Sequence, residues 1–231
     1  MARLPSRRSS RTEIDRFLRK SKNIAIVREQ QPRLIFAIDA TASRQPTWDQ
    51  ASHLQREMFV AAQQDNTLCV QLCYFRGFAD FKAAQWTTDS EQLARQMSQV
   101  SCEGGHTQIE RLLRHALSEH QKNSLKALVF IGDALEENAD TLCQLAGQCG
   151  MLKLPLFIFQ EGQLADAKHC FTSMASLSKG AWASFDSNSS STLASLLGAV
   201  AGFASGGLTA LEQQGTEGAK IGRASCRERV Y

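Results

Sequence analysis

The chain has 231 residues, a length suited to one domain or two small ones, and its 43% hydrophobic and 21% charged residues exclude collagen-like, coiled-coil and wholly disordered chains. The formal charge of +3 is unevenly spread: residues 1–33 carry ten Lys and Arg against Glu13, Asp15 and Glu29, residues 221–231 carry three Arg against Glu228, and residues 34–220 are left with 13 basic against 19 acidic side chains. A nucleic-acid function cannot be argued from overall basicity, because the body of the protein is acidic.

Residues 1–11 are rich in Arg and Ser and read as disordered. Thr12, with Glu13 and Asp15 behind it, opens a predicted helix to about Val27. Residues 1–30 are therefore taken as a basic, partly disordered arm, 31–207 as one domain and 208–231 as a flexible tail. Leu34 to Asp39 is an unbroken apolar run closed by a carboxylate, as suits a strand buried on both faces of a parallel sheet. A helix from Trp48 to Gln63, a strand from Leu68 to Phe75 and a short edge strand from Lys82 to Thr87 follow. Asp89 to Val100 reads as a helix with Asp89 or Ser90 at its cap.

The segment from Glu103 to Thr107 is a glycine-containing loop that opens a helix from Gln108 to His120. Lys126 to Asp133 is a second buried strand that ends in a carboxylate. A helix from Asn138 to Leu152, a strand from Leu154 to Phe159, a helix from Leu164 to Ser178 stopped by Gly180, a strand from Ala181 to Phe185 and a helix from Thr192 to Ala204 complete the series. Strands alternating with helices predict an α/β fold, a doubly wound, mostly parallel sheet flanked by helices on both faces. Ser187 to Leu211 is uncharged, but its apolar part from Leu193 to Ala204 is too short to span a membrane. The basic N-terminus is not followed by an apolar signal core, so a cytoplasmic location is expected.

Seven cysteines, at 69, 73, 102, 143, 149, 170 and 226, form no repeated metal-binding spacing. They are expected as free thiols, most of them small core residues.

Ligands in a doubly wound sheet sit at the carboxyl ends of its strands. There the sequence places Asp39, Thr41 and Ser43 after the first strand, Thr107 at the end of the glycine loop and Asp133 at the end of the strand from Lys126. Two carboxylates and three hydroxyls are hard oxygen donors of low total charge, a set that suits Mg²⁺. Gly104 and Gly105 allow close backbone approach in the loop before Thr107.

The D-x-T-x-S run, a distant Thr in a glycine-rich loop and a further Asp closing a buried strand resemble the metal-ion-dependent adhesion site of von Willebrand factor type A (vWA) domains. The resemblance covers about residues 34–205, with Thr41 standing where Ser is commoner. It implies that Thr41, Ser43 and Thr107 supply hydroxyl ligands and that Asp39 and Asp133 act directly or through water. It further implies a bound Mg²⁺, with Mn²⁺ or Ca²⁺ as alternatives, and an open position completed by an Asp or Glu of a partner protein. More narrowly, the chain resembles bacterial stand-alone intracellular proteins of this family, which implies an adaptor for an AAA-type ATPase or chaperone system. Residues 221–230 resemble the in-frame translation of a sequencing adapter, so 221–231 are set aside as non-native.

Arg44 and Arg76 follow strand ends and are candidates to grip a partner carboxylate, with Trp48 and Phe78 as an apolar rim. Their plainer readings are solvated arginines and helix-start packing. Glu136 and Glu137 read as first-turn residues of the helix that follows them. His106 reads as a loop residue, and His115 and His120, five apart, share no helical face well.

Two other functions compete with a binding module. A metal-dependent phosphoester hydrolase would use the strand-end Asp39, but Thr41 stands where an acid–base carboxylate is needed, and no P-loop or dinucleotide fingerprint follows a strand. A nucleic-acid-binding protein would use the basic arm, although aromatic interleaving is lacking there.

Overall fold

The computed structural model describes residues 31–44, 68–185, 198–200 and 202–204. The chain enters the sheet at β1 (Arg33–Asp39), turns through a 3-10 segment (Ala42–Arg44), and returns as β2 (Cys69–Arg76) and β3 (Asp80–Ala83). It continues through α1 (Ser90–Ser98), α2 (Ile109–Lys122), β4 (Leu125–Gly132), α3 (Ala139–Met151), β5 (Leu156–Glu161), α4 (Ala165–Leu177) and β6 (Ala181–Phe185). Residues 198–200 and 202–204 are helical.

The six strands lie in the order β3-β2-β1-β4-β5-β6, parallel throughout except for β3, which pairs antiparallel with β2. The doubly wound expectation is met. Burial on both faces explains the apolar runs: Leu34, Phe36 and Ile38 face one core, while Ile35 and Ala37 face the other. The first core takes Leu93 and Met97 of α1 together with Val200 and Ala204. The second takes Ile109, Leu112, Leu113 and Ala116 of α2, Leu142, Leu145 and Ala146 of α3, and Phe171 and Met174 of α4.

Three local expectations need correction. The edge strand is Asp80–Ala83 rather than Lys82 to Thr87. Gly77, at φ +57°, turns β2 back sooner than the apolar pattern suggests, and Thr87 keeps only a single bridge to Val70. Gly180 does not supply the left-handed residue after α4; Lys179 does, at φ 61°. Gly180 is needed for room instead, since a Cβ there would lie 1.9 Å from the Leu156 carbonyl oxygen. The strand from Leu154 begins at Leu156 and runs on to Glu161. The helices expected at 12–27 and 48–63 lie outside the described residues, as do the basic arm, the 208–231 tail and the segment from 221.

Candidate metal centre

After β1 the chain moves to β2 and β3 on one side; after β4 it moves to β5 and β6 on the other. Adjacent parallel strands whose connections diverge leave a crevice at their carboxyl ends. β1 and β4 are that pair, with Ile38 level with Ile131. Asp39 closes β1 and Asp133 comes one residue after the end of β4, so both residues stand at the carboxyl ends of this pair.

The D-x-T-x-S corner is internally bonded. Asp39 is fully buried, and its Oδ1 accepts the Thr41 backbone N–H at 2.8 Å. Thr41 Oγ1 and Ser43 Oγ lie 3.1 Å apart and share a hydrogen bond. A side chain bonded to the backbone two residues on is the usual way a short polar residue curls a chain end. Here it brings alternate residues onto one corner.

The glycine loop is stitched to both neighbouring strand ends. Thr41 forms a parallel bridge with Glu103, and Glu103 N–H donates to the Ala40 carbonyl at 3.0 Å. His106 N–H donates to the Gly77 carbonyl at 3.1 Å. Thr107, which ends this loop, is buried. Its Oγ1 accepts the Glu136 N–H at 3.1 Å, and its own N–H donates to Glu136 Oε2 at 3.1 Å. The Asp39–Ser43 corner is thus tied to the Thr107 loop through Glu103, and the Thr107 loop to the Asp133 loop through Glu136.

Asp133 Oδ1 is shielded from solvent and has no hydrogen-bond partner among the described residues. A buried carboxylate oxygen without a donor carries its full desolvation cost. A cation in the crevice would relieve it. The donor set of two carboxylates and three hydroxyls, all hard oxygens, fits Mg²⁺ or Mn²⁺ rather than a thiophilic ion.

Glu136 and Glu137 are not in the first turn of the helix that follows them, which starts at Ala139 with Asn138 as its cap. They reach instead to the start of α2. Glu137 accepts the N–H groups of Ile109 at 2.6 Å and Glu110 at 2.8 Å. Glu136 Oε2 also lies 2.8 Å from His106 Nδ1. Sequence reasoning missed this because the acceptors and their donors are 27 to 29 positions apart. The only signal was two acids just after a strand-end Asp.

Arg76 is engaged within the chain. Its Nε donates to Asp80 Oδ2 at 2.9 Å, and its Nη1 donates to Ser101 O at 3.0 Å and Ser101 Oγ at 2.6 Å. The Asp80 bond raises the Arg76 pKa and lowers that of Asp80. Phe78 stands at the turn between β2 and β3, 78% exposed, edge-on to His106 at 5.3 Å between ring centres. Arg44 ends the 3-10 segment, its side chain outside the described set, and Trp48 lies outside the described residues altogether. Away from the rim, His115 bonds Gln71 Oε1 at 2.9 Å. His120 accepts the Leu125 N–H at 3.0 Å and lies 3.0 Å from the Leu152 carbonyl. Cys69, Cys73, Cys149 and Cys170 are buried, the last three as free thiols.

No family model and no curated protein sequence matches the chain. Solved structures do. A von Willebrand factor type A protein from Catenulispora acidiphila superposes with a TM-score of 0.60 at 13% identity, over 76% of this chain and 43% of that one. Manganese-loaded TRAP from Plasmodium vivax gives 0.53 at 14% identity, over 71% and 72%. Proximal thread matrix protein 1 from the mussel byssus, with its MIDAS motif occupied by zinc, gives 0.59 at 12% identity, over 74% and 46%. The chain spans less than half the length of the first and third of these. It has the vWA fold. Among the described residues no helix is long and apolar enough to cross a membrane.

Proposed function

We propose that the protein is a non-catalytic interaction module that binds a divalent cation, Mg²⁺ in the first instance, at Asp39, Thr41, Ser43, Thr107 and Asp133. The cation in turn takes a carboxylate from a partner protein. The observation that carries this reading is the buried Oδ1 of Asp133, just past the end of β4, which has no hydrogen-bond partner among the described residues. Supporting it, two proteins of the same fold carry manganese or zinc, the zinc at a MIDAS motif.

The chemistry follows from the donor set. Two carboxylates formally balance a dication, but with three of the five side chains neutral hydroxyls a cation held mainly by those hydroxyls would keep much of its pull on a further anionic oxygen. An incoming Asp or Glu is the hard anionic oxygen ligand that completes such a coordination sphere. Because two partners then share one ion, partner binding requires the cation. Glu136 and Glu137 add negative charge beside the site, offset in part by the N–H dipoles of the Thr107 loop and the α2 N-terminus to which both carboxylates bond. An AAA-type ATPase or chaperone component presenting an acidic residue is the partner class the family resemblance favours, in a cytoplasmic setting.

Calorimetric titration of Mg²⁺ and Mn²⁺ into wild type and Asp39→Ala tests the site, and capture of candidate partners in Mg²⁺ and in EDTA tests its use. One bound ion in wild type, none in the variant, and capture only by wild type in Mg²⁺ are expected. Equal capture in all four conditions would remove the carboxylate mechanism.

A further inference from the structure

Helix α2 has no side-chain cap at its own N-cap residue, Gln108. The donors exposed at a helix N-terminus must find acceptors elsewhere. They find them on the loop that leaves β4 immediately after Asp133. Glu137 takes the N–H groups of Ile109 at 2.6 Å and Glu110 at 2.8 Å with its two oxygens. Glu136 takes the Thr107 N–H at 3.1 Å and returns its own N–H to Thr107 Oγ1 at the same distance. Two adjacent acids therefore fasten the whole start of α2, Thr107 included, onto the loop that carries Asp133. Hydrogen bonds to ionised acceptors are the stronger kind, and a carboxylate at a helix N-terminus is further favoured by the helix dipole.

Thr107 sits two residues after Gly105, and Gly104 and Gly105 lose more conformational freedom on ordering than any other residue. The Glu103–Ala40 and His106–Gly77 bonds already hold the glycines, but without the fastening the freedom left to Thr107 itself would be lost when the cation binds. With it, the loss is incurred on folding. We propose that Glu136 and Glu137 are positioning residues of the cation site, a clasp that presets the Thr107 hydroxyl against Asp133 before the ion arrives. This rests on the cation reading above. One oxygen of Thr107 can serve both partners, since a hydroxyl has two lone pairs and the Glu136 N–H occupies one.

The test titrates Mn²⁺ calorimetrically into the full chain as wild type, Glu137→Gln, Glu136→Gln and Glu110→Gln, with hydrogen exchange of residues 106–110 followed in EDTA. Glu110 lies in the same turn but bonds Arg114, so its variant removes a like charge while leaving the clasp intact. Outer partners that orient metal ligands typically change affinity by about tenfold or more. Glu137→Gln and Glu136→Gln are each expected to raise the Mn²⁺ dissociation constant about tenfold and to speed exchange at Ile109 and Glu110. Glu110→Gln is expected to stay within about twofold of wild type. Affinity is read on folded protein, so a loss of stability alone would not move it. If Glu137→Gln does not fold, Glu136→Gln carries the comparison, because its backbone bond to Thr107 is retained. Wild-type affinity in both clasp variants would overturn the clasp and leave the site standing. A wild type that takes up no Mn²⁺ would overturn both.

Discussion

Gly105 lies flat against Gly77: a Cβ on Gly105 would sit 1.9 Å from the Gly77 carbonyl oxygen and 2.1 Å from its carbonyl carbon. The obstacle is backbone, so no rotamer change can clear it. This contact joins the turn after β2 to the loop that delivers Thr107, one residue before the His106 N–H bonds the same carbonyl. Gly105→Ala should therefore destabilise by at least the ~1–3 kcal/mol usual for overpacking, and should move Thr107 with the loop. Gly104→Ala is the matched control, because a Cβ there meets nothing within 4 Å. Urea denaturation of the two variants checks the contrast; equal midpoints would show that the loop yields easily.

Asp133 predicts a change of sign with cation. Its Oδ1 is buried without a partner among the described residues, so without metal the carboxylate is a liability. Asp133→Asn should leave the protein in EDTA no less stable than wild type. At Mg²⁺ a hundredfold above its dissociation constant, wild type should gain about 2.7 kcal/mol from ligand linkage, and the variant should gain none. Thermal unfolding in EDTA and in Mg²⁺ gives both numbers. A variant that is strongly destabilised in EDTA would mean that Asp133 serves the fold and not an ion.

What could be read from the sequence follows the range of the interactions. Leu34 to Asp39 and Lys126 to Gly132 were legible as buried strands because both faces of each are apolar, a property of consecutive residues. The D-x-T-x-S corner was legible for the same reason, since Asp39 and Thr41 bond across two positions. Asp89 as a cap was legible because its Oδ1 takes the Glu91 N–H, again two positions away. The edge strand was misplaced because Asp80 to Ala83 is short and half polar, and its pairing depends on Gly77 adopting a left-handed turn. Gly180 was misjudged because its need for space arises from Leu156, on a different strand. The clasp of Glu136 and Glu137, and the engagement of Arg76 by Asp80 and Ser101, are set by tertiary neighbours that no local pattern announces.

The buried thiols should resist alkylation in a definite order. Burial pushes the Cys149 thiol up to about 12. It does the same to Cys170, also to about 12, helped by the neighbouring Cys143 and then Glu137 and Asp140. Cys73 is raised further still, by burial first and by Glu119 second. Thiolate is the nucleophile, so at about pH 8 these three are both covered and protonated. Cys143, partly exposed on α3, should be labelled by a maleimide ahead of Cys73, Cys149 and Cys170. Peptide mass spectrometry over a labelling time course checks this. Native-state labelling of Cys149 as fast as Cys143 would mean that α3 opens readily from the sheet.

His115 gives a pH dependence of determined sign. It is half-buried between α2 and the β2–β3 hairpin, with Nε2 2.9 Å from Gln71 Oε1 and its ring 5.5 Å from that of Phe81. Burial lowers its pKa below the ordinary 6.5, Glu119 acts in the opposite direction, and Lys122 lowers it a little more. The unfolded chain thus takes up a proton near 6.5 while the folded chain still refuses it. Below that pH unfolding is favoured by proton uptake, and stability falls until the folded-state pKa is passed. Because the imidazole bonds an amide oxygen, it acts as donor through Nε2, a role that the amide of a glutamine can replace without titrating. The urea midpoint of wild type should therefore drop more steeply than that of His115→Gln between about pH 7 and pH 5, and the two should run parallel above that window. Parallel curves throughout would show that the imidazole meets water freely in the folded state, and the packing of Phe81 over it would then have no electrostatic consequence.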